Sequence, residues 1–257
     1  MGFMDRFSLK DKNIIITGGA QGIGKVVGGI LAECGARLGL WDINGQLAAA
    51  TADEIAQTYN AKCRAYPCDV TDPMQVGDAM RAFVSDFGPL DGLFNNAGVC
   101  QHKGALDLAP EEWKNVTGVN CDGVFYVAQA AAKQFINDNK KRAIVNTASM
   151  SGHIVNIPQR QAAYNASKAA VVHLTKTLAV EWAEHNIRVN SISPGYIMTE
   201  MTGNVAQSMR DFWTGLIPFK RMGTPDELAG AVIYLLSDAS GYTSGCDIII
   251  DGCFTCI

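Results

Sequence analysis

Thr17-Gly18-Gly19-Ala20-Gln21-Gly22-Ile23-Gly24 follows the apolar run Asn13–Thr17 and opens a stretch with helical spacing. A glycine-rich turn between a strand and a helix lets backbone N–H groups and the positive end of the helix face an anion with no side chain in the way. The next apolar run, Arg37–Asp42, ends in a carboxylate 18 residues beyond Gly24, where it can bind the hydroxyls of an adenosine ribose. Together these features predict a dinucleotide site. A carboxylate at Asp42 repels the 2′-phosphate of NADP, and the turn offers only Ala20 and Gln21 where a lysine or arginine could have gripped that phosphate. The expected cofactor is therefore NAD.

Outward from this turn, short apolar runs alternate with helical patterns to the end of the chain. The strands expected are Asn13–Thr17, Arg37–Asp42, Cys63–Cys68, Gly92–Asn95, Ala143–Thr147, Arg188–Ser193 and Asp247–Ile250. All but Cys63–Cys68 are nearly continuous apolar runs, as strands covered on both faces should be. The helices expected are Gly24–Glu33, Gln46–Tyr59, Pro73–Phe87, Pro110–Asp138, Ala162–Glu184 and Pro225–Ser237. This rhythm predicts an α/β fold, a doubly wound parallel sheet with helices on both faces, in a single domain over 1–257. The aperiodic stretch near 198–223 follows a strand end and is expected to form a lid over the ligand.

Of the 257 residues, 48% are hydrophobic and 18% charged, which excludes a disordered chain. The net charge of −4, with no basic cluster, argues against nucleic acid or an anionic membrane as partner and leaves a small molecule. No stretch is long and apolar enough to span a bilayer, and Asp5 and Arg6 interrupt any signal-like start, so a cytoplasmic protein is expected. Eight cysteines spread through a chain of this size read as reduced thiols. Cys253-x-x-Cys256 lacks a second pair of ligands, and the four histidines lack ligand spacing, so no metal is expected.

Tyr164 and Lys168 stand four residues apart on one face of a predicted helix. A phenol titrating near ~10 must fall by about three units, or ~4 kcal/mol, to act as a base at neutral pH. A cation about 4 Å away at an effective dielectric of ~20 supplies that order of energy. Taken with the glycine turn, Asn95-Asn96-Ala97-Gly98, Asn120, Ser149 and Pro194-Gly195, the pair resembles the short-chain dehydrogenase/reductase family from Leu9 to Gly252.

That resemblance implies a Rossmann-like domain with a seven-stranded parallel sheet, assembled as a homotetramer. It implies that Tyr164 is the general acid/base, that Lys168 lowers its pKa and holds the nicotinamide ribose, and that Ser149 hydrogen-bonds the substrate oxygen. Asn120 would bind a water that passes the proton on. Gly18, Gln21, Gly22, Ile23 and Gly24 would form the phosphate turn, with Asp42, Asn96 and Gly98 on the adenosine-ribose side. Asp69 and Val70 would meet the adenine, and Pro194, Gly195, Ile197 and Thr199 the carboxamide end. Ser149 precedes Tyr164 by slightly more than the usual gap, and Ser151 stands at the shorter spacing; Ser149 is preferred because Asn146-Thr147-Ala148-Ser149 matches the family's strand end.

Asn146–Gly152 and Asp251-Gly252-x-x-Thr255 are similar to polyol dehydrogenases acting on xylitol, arabitol, mannitol or sorbitol. Gln101, His102, Ser151, His153, Asn156 and Gln159 are polar residues expected near the nicotinamide, and Ser149, Ser151, His153, Gln159 and Tyr164 are the expected substrate contacts. A 3-oxoacyl or steroid ketone reductase of the same family, or an NAD-sensing regulator without turnover, are the alternatives.

Overall fold

Ile14 and Ile16 face one side of the sheet and Ile15 the other, and all three are fully buried. This alternation along a strand is met by an apolar layer on each side. Ile15 joins Trp41, Phe83, Val127, Phe135 and Leu178, whereas Ile14 and Ile16 join Val27, Leu31, Ile55, Val232 and Leu235. The computed structural model describes residues 2–136, 140–203 and 205–257.

Strands β1 (Asn13–Thr17), β2 (Arg37–Asp42), β3 (Cys63–Pro67), β4 (Gly92–Asn95), β5 (Arg142–Thr147), β6 (Ile187–Pro194) and β7 (Asp247–Ile250) form one sheet in the order 3-2-1-4-5-6-7. Every pairing is parallel, with Thr17 beside Trp41, Asn95 beside Asn146 and Thr147 beside Ile192. The order reverses between β1 and β4, and the crevice beyond their carboxyl ends is where such sheets bind ligands.

Helices α1 (Gly22–Glu33) and α2 (Gly45–Tyr59) cover one face together with α9 (Ala229–Leu236). The other face is covered by α3 (Pro73–Phe87), α5 (Val124–Phe135) and α6 (Ala162–Glu181). The helical segment expected from Pro225 begins there, with the Glu227 carboxylate accepting from Thr224 N at 2.9 Å, although its first turn, Pro225–Leu228, is 3₁₀. Helix α6 stops at Glu181, and a 3₁₀ turn over Ala183–His185 follows.

The expected helix Pro110–Asp138 is three pieces: α4 (Pro110–Thr117), a π-helical segment Gly118–Gly123, and α5, with Asp138 outside the described residues. The wider turn carries Asn120 inward, and π segments of this kind cluster at functional sites. Asp247–Ile250 is apolar but is not covered on both faces: β7 is the sheet's last strand, and Ile249 is 41% exposed. The stretch 198–223 contains two short helices, α7 (Glu200–Gly203) and α8 (Gln207–Leu216). Among the described residues no helix is long and apolar enough to cross a membrane.

Candidate active site

A cleft of about 420 Å³ opens beyond the carboxyl ends of β1, β2, β4 and β5. Gly22 has φ +56°, a conformation that side-chain-bearing residues avoid. A Cβ on Gly24 would collide with the Gly18 carbonyl oxygen, so the helix can begin this close to the turn only with glycine there. Gln21 makes no side-chain cap at the start of α1, and Gln21, Gly22 and Ile23 line the cleft. The first N–H groups of α1 are thereby left to a ligand, as a bound pyrophosphate requires. Asn96 secures the turn from β4 by donating through Nδ2 to Thr17 O (3.1 Å) and Gly18 O (3.3 Å).

Asp42 is held at the rim, accepting from Ala20 N at 3.1 Å and from Asn44 N at 3.0 Å. Each carboxylate oxygen keeps acceptor capacity for a ribose hydroxyl. The charged residues on the cleft wall are Asp42, Asp69, Glu200 and Lys168. The end beyond β2 and β3 is therefore lined by the carboxylates of Asp42 and Asp69, and Lys168 stands at the other end. These features fit a nicotinamide dinucleotide: a glycine cradle, uncapped N–H groups and a ribose carboxylate.

At the far end, α6 brings Tyr164 and Lys168 to the cleft, and the strand end of β5 supplies Ser149 just behind Tyr164. Lys168 is buried, and its Nζ donates to Thr147 O at 2.7 Å and lies 5.7 Å from the centre of the Tyr164 ring. Burial pushes the Tyr164 phenol above its ordinary value, the nearby Cys100 thiol adds to this, and a hydrogen bond with Ser149 opposes it. Burial also lowers Lys168, to about 8. Removal from water is the largest influence on the phenol and holds it up, opposite in direction to the fall expected from a cation beside it. The Ser149 hydroxyl accepts from Ser151 N at 3.1 Å, which fixes its orientation.

Asn120 is fully buried, and its Oδ1 accepts from Val99 N at 2.8 Å. Its Nδ2 donates to Val99 O at 2.9 Å and to Ser167 Oγ at 3.1 Å. The side chain thus ties the loop after β4 to α6.

The family described as enoyl-(acyl carrier protein) reductase matches residues 18–255. A sorbose reductase of Candida albicans is 44% identical over 255 residues, covering 98% of this chain and 90% of that protein. The chain belongs to the short-chain dehydrogenase/reductase family. An NADP-dependent mannitol dehydrogenase of Alternaria alternata is 41% identical over 251 residues, covering 96% of this chain and 94% of that protein. The crystal structure of a short-chain type dehydrogenase/reductase from Mycobacterium marinum superposes with a TM-score of 0.97 at 44% identity, with 100% of each chain covered.

Of the residues expected at the cofactor of this short-chain dehydrogenase/reductase, Gly18, Gln21, Gly22, Ile23, Asp42, Asp69, Val70, Asn96, Gly98, Tyr164, Lys168 and Thr199 line the cleft. Gly24, Pro194, Gly195 and Ile197 do not. Gly24 packs under Gly18, and a Cβ on Gly195 would stand 2.7 Å from Asp251 Cα, so both are glycines for reasons of packing. Ile197 faces a separate small hollow with Tyr196 and Gly252.

The expected substrate contacts Ser151, His153 and Gln159 all have partners within the protein. Ser151 Oγ accepts from Gln161 Nε2 at 3.3 Å, and His153 Nε2 lies 2.8 Å from Asp247 Oδ2. Gln159 is buried between Tyr196 OH (2.8 Å) and Trp213 Nε1 (3.0 Å). Sequence reasoning missed Thr147, Val99, Asn115 and Glu200 on the cleft wall. Thr147 ends a predicted strand on the ligand side and was within reach of that rule. Glu200 carries no such signal.

Proposed function

We propose that this member of the short-chain dehydrogenase/reductase family interconverts a polyol and its ketose with NAD as the preferred cofactor. The observation that carries the redox reading is the convergence of Ser149, Tyr164 and Lys168 at one end of the glycine-lined cleft. Support for NAD comes from the carboxylates Asp42 and Asp69, with no lysine or arginine beside them on the described wall. The relative named as NADP-dependent makes this preference the sharpest part of the reading. Support for a sugar-like substrate comes from the relatives named for sorbose and mannitol. The proposed protein works as a homotetramer in the cytoplasm, where its eight free cysteines stay reduced.

A nicotinamide dinucleotide held by the glycine turn, Asp42 and Lys168 would supply the hydride chemistry. Ser149 Oγ–H donates to the substrate oxygen and stabilises negative charge building there. Tyr164, kept protonated by burial, delivers its proton to that oxygen when a ketone is reduced and takes it back when an alcohol is oxidised. Lys168 spends one N–H on Thr147 O and keeps its others for the cofactor ribose and the phenolate. Asn120 holds Val99, and with it the loop that faces Tyr164. Residues near 198–223 close over the reacting atoms as a lid.

The test is a panel of five- and six-carbon ketoses and polyols, steroid ketones and 3-oxoacyl thioesters, each assayed with both reduced and oxidised forms of NAD and NADP. Highest kcat/KM on a ketose or polyol with NAD is expected. Preference for a steroid or a thioester overturns the substrate assignment, and equal use of NADP overturns the cofactor assignment.

A further inference from the structure

A second polar cluster lies behind the catalytic serine, away from the cleft. The Asp247 side chain, only 8% exposed, starts the edge strand β7 and collects three side chains. Its Oδ1 accepts from Ser191 Oγ at 2.5 Å and from Ser193 Oγ at 3.0 Å, both on β6. Its Oδ2 lies 2.8 Å from Nε2 of His153, which also stands 3.2 Å from Ser193 Oγ. An ionised carboxylate accepts only, so Nε2 carries the proton and donates, which fixes the imidazole tautomer.

His153 closes the turn that carries Ser149. Its N–H donates to Met150 O at 2.9 Å, Gly152 N donates to Ser149 O at 2.9 Å, and Ser151 N holds Ser149 Oγ. The other side of this turn is pressed on α6: a Cβ on Gly152 would stand 2.9 Å from the carbonyl group of Lys168. Met150 packs with Tyr196 and Trp213, Gln161 holds Ser151 Oγ, and the His153–Asp247 pair ties the end of the turn to the sheet edge.

We propose that His153 and Asp247 form a positioning pair that clamps the Ser149 turn to the sheet edge, so that the serine hydroxyl stays aligned with the phenol of Tyr164. The proposal rests on the assignment of Ser149 and Tyr164 as the reacting pair. A shift of the turn of about 1 Å is enough to cost a large factor in rate, and the His153–Asp247 pair is the polar tie between the end of this turn and the sheet edge. The clamp acts on alignment in the transition state, so it should govern kcat far more than cofactor binding.

The experiment measures kcat, KM, dinucleotide Kd and melting temperature for His153→Leu, His153→Gln, Asp247→Asn and His153→Leu/Asp247→Asn, with sorbose and fructose as substrates and Tyr164→Phe alongside. His153→Leu is expected to lose tenfold or more in kcat, with Kd for the dinucleotide within threefold of the unmodified protein. His153→Gln places an amide N–H where Nε2 stood and should recover most of that loss. The double variant should lose no more than the worse single one, because both remove one interaction. The proposal is overturned by an unchanged kcat in His153→Leu, by additive losses in the double variant, or by losses that track melting temperature and Kd with no recovery in His153→Gln. Undiminished turnover in Tyr164→Phe overturns the underlying acid–base assignment instead.

Discussion

Tyr164 and Lys168 show how one residue pair can be legible in sequence while its energetics are not. Their spacing of four placed both on one face of a helix, but the balance between burial and attraction depends on the walls that α6, β5 and the loop at Cys100 build around them. Tyr164→Phe removes only the proton-transfer group, so turnover should fall by several orders of magnitude with dinucleotide affinity nearly unchanged. A kinetic assay beside a binding titration checks this, and activity within tenfold of the unmodified protein refutes the role. Lys168 carries a cost in stability. Its folded-state value of about 8 lies below the ordinary 10.5, so the buried cation opposes folding by about 3 kcal/mol at pH 7. That penalty is complete below pH 8 and fades as the pH rises towards 10.5, because the unfolded chain then binds the proton that the folded one has released. Lys168→Met should melt higher than the parent at pH 7 without cofactor, less the loss of the bond to Thr147 O, and its advantage should shrink by pH 10. Thermal melts at the two pH values decide the matter. At the opposite end of the cleft, Asp42 and a 2′-phosphate about 4 Å apart would repel by roughly 1–4 kcal/mol, which on the proposed reading favours NAD by about fivefold to a thousandfold. Asp42→Asn should narrow the NAD preference mainly by improving NADP, measured as the ratio of kcat/KM values. An unaltered ratio would mean that Asp42 does not face the ribose.

At the scale of elements, the strands were readable because parallel strands under helices are continuous apolar runs, and β1, β2, β4, β5 and β6 occupy nearly their expected spans. The π-helical segment Gly118–Gly123 was not readable: no local pattern separates it from the flanking helices, and what fixes it is the distant bond from Asn120 to Val99. The partners of Gln159 were unreadable for a related reason. A glutamine in a loop near the nicotinamide looks like a hydroxyl ligand, yet its amide joins Tyr196 to Trp213, which stack at 4.4 Å and seat helix α8. Buried amides with both ends engaged are costly to remove, since they leave Trp213 Nε1 and Tyr196 OH without partners. Gln159→Leu should therefore loosen α8 as a unit. Trypsin is expected to cut at Arg210 or Lys220 faster in the variant, and KM should rise for every substrate by a similar factor. A rise confined to polyols would return Gln159 to the substrate, and unchanged cleavage would show that α8 is held by other contacts.

For the whole molecule, a net charge of only −4 and no basic cluster pointed to a small ligand, and the sheet order places that ligand's cleft at the reversal between β1 and β4. What a single sequence shows poorly is which apolar surface remains open after folding. Ala128, Ala131 and Ala132 of α5, apolar and small as an interface helix should be, are spent inside the chain. On α6, by contrast, Ala162, Ala166, Ala169 and His173 form an outward row, and Val180 further along is 79% exposed. Small residues at this spacing allow two helices to approach closely, which suits a two-fold contact in which each subunit presents the same face. A separate surface is offered by the edge strand β7, where Ile249 is 41% exposed. Two different self-complementary patches generate two different two-fold axes, and two such axes close into a tetramer. Sedimentation at micromolar concentration should show that tetramer for the unmodified protein. Ala169→Arg should block one contact and Ile249→Lys the other, each leaving dimers, while the combined variant should sediment as a monomer. A monomer from the unmodified chain refutes the assembly, and tetramers from both single variants would place the contacts on other surfaces.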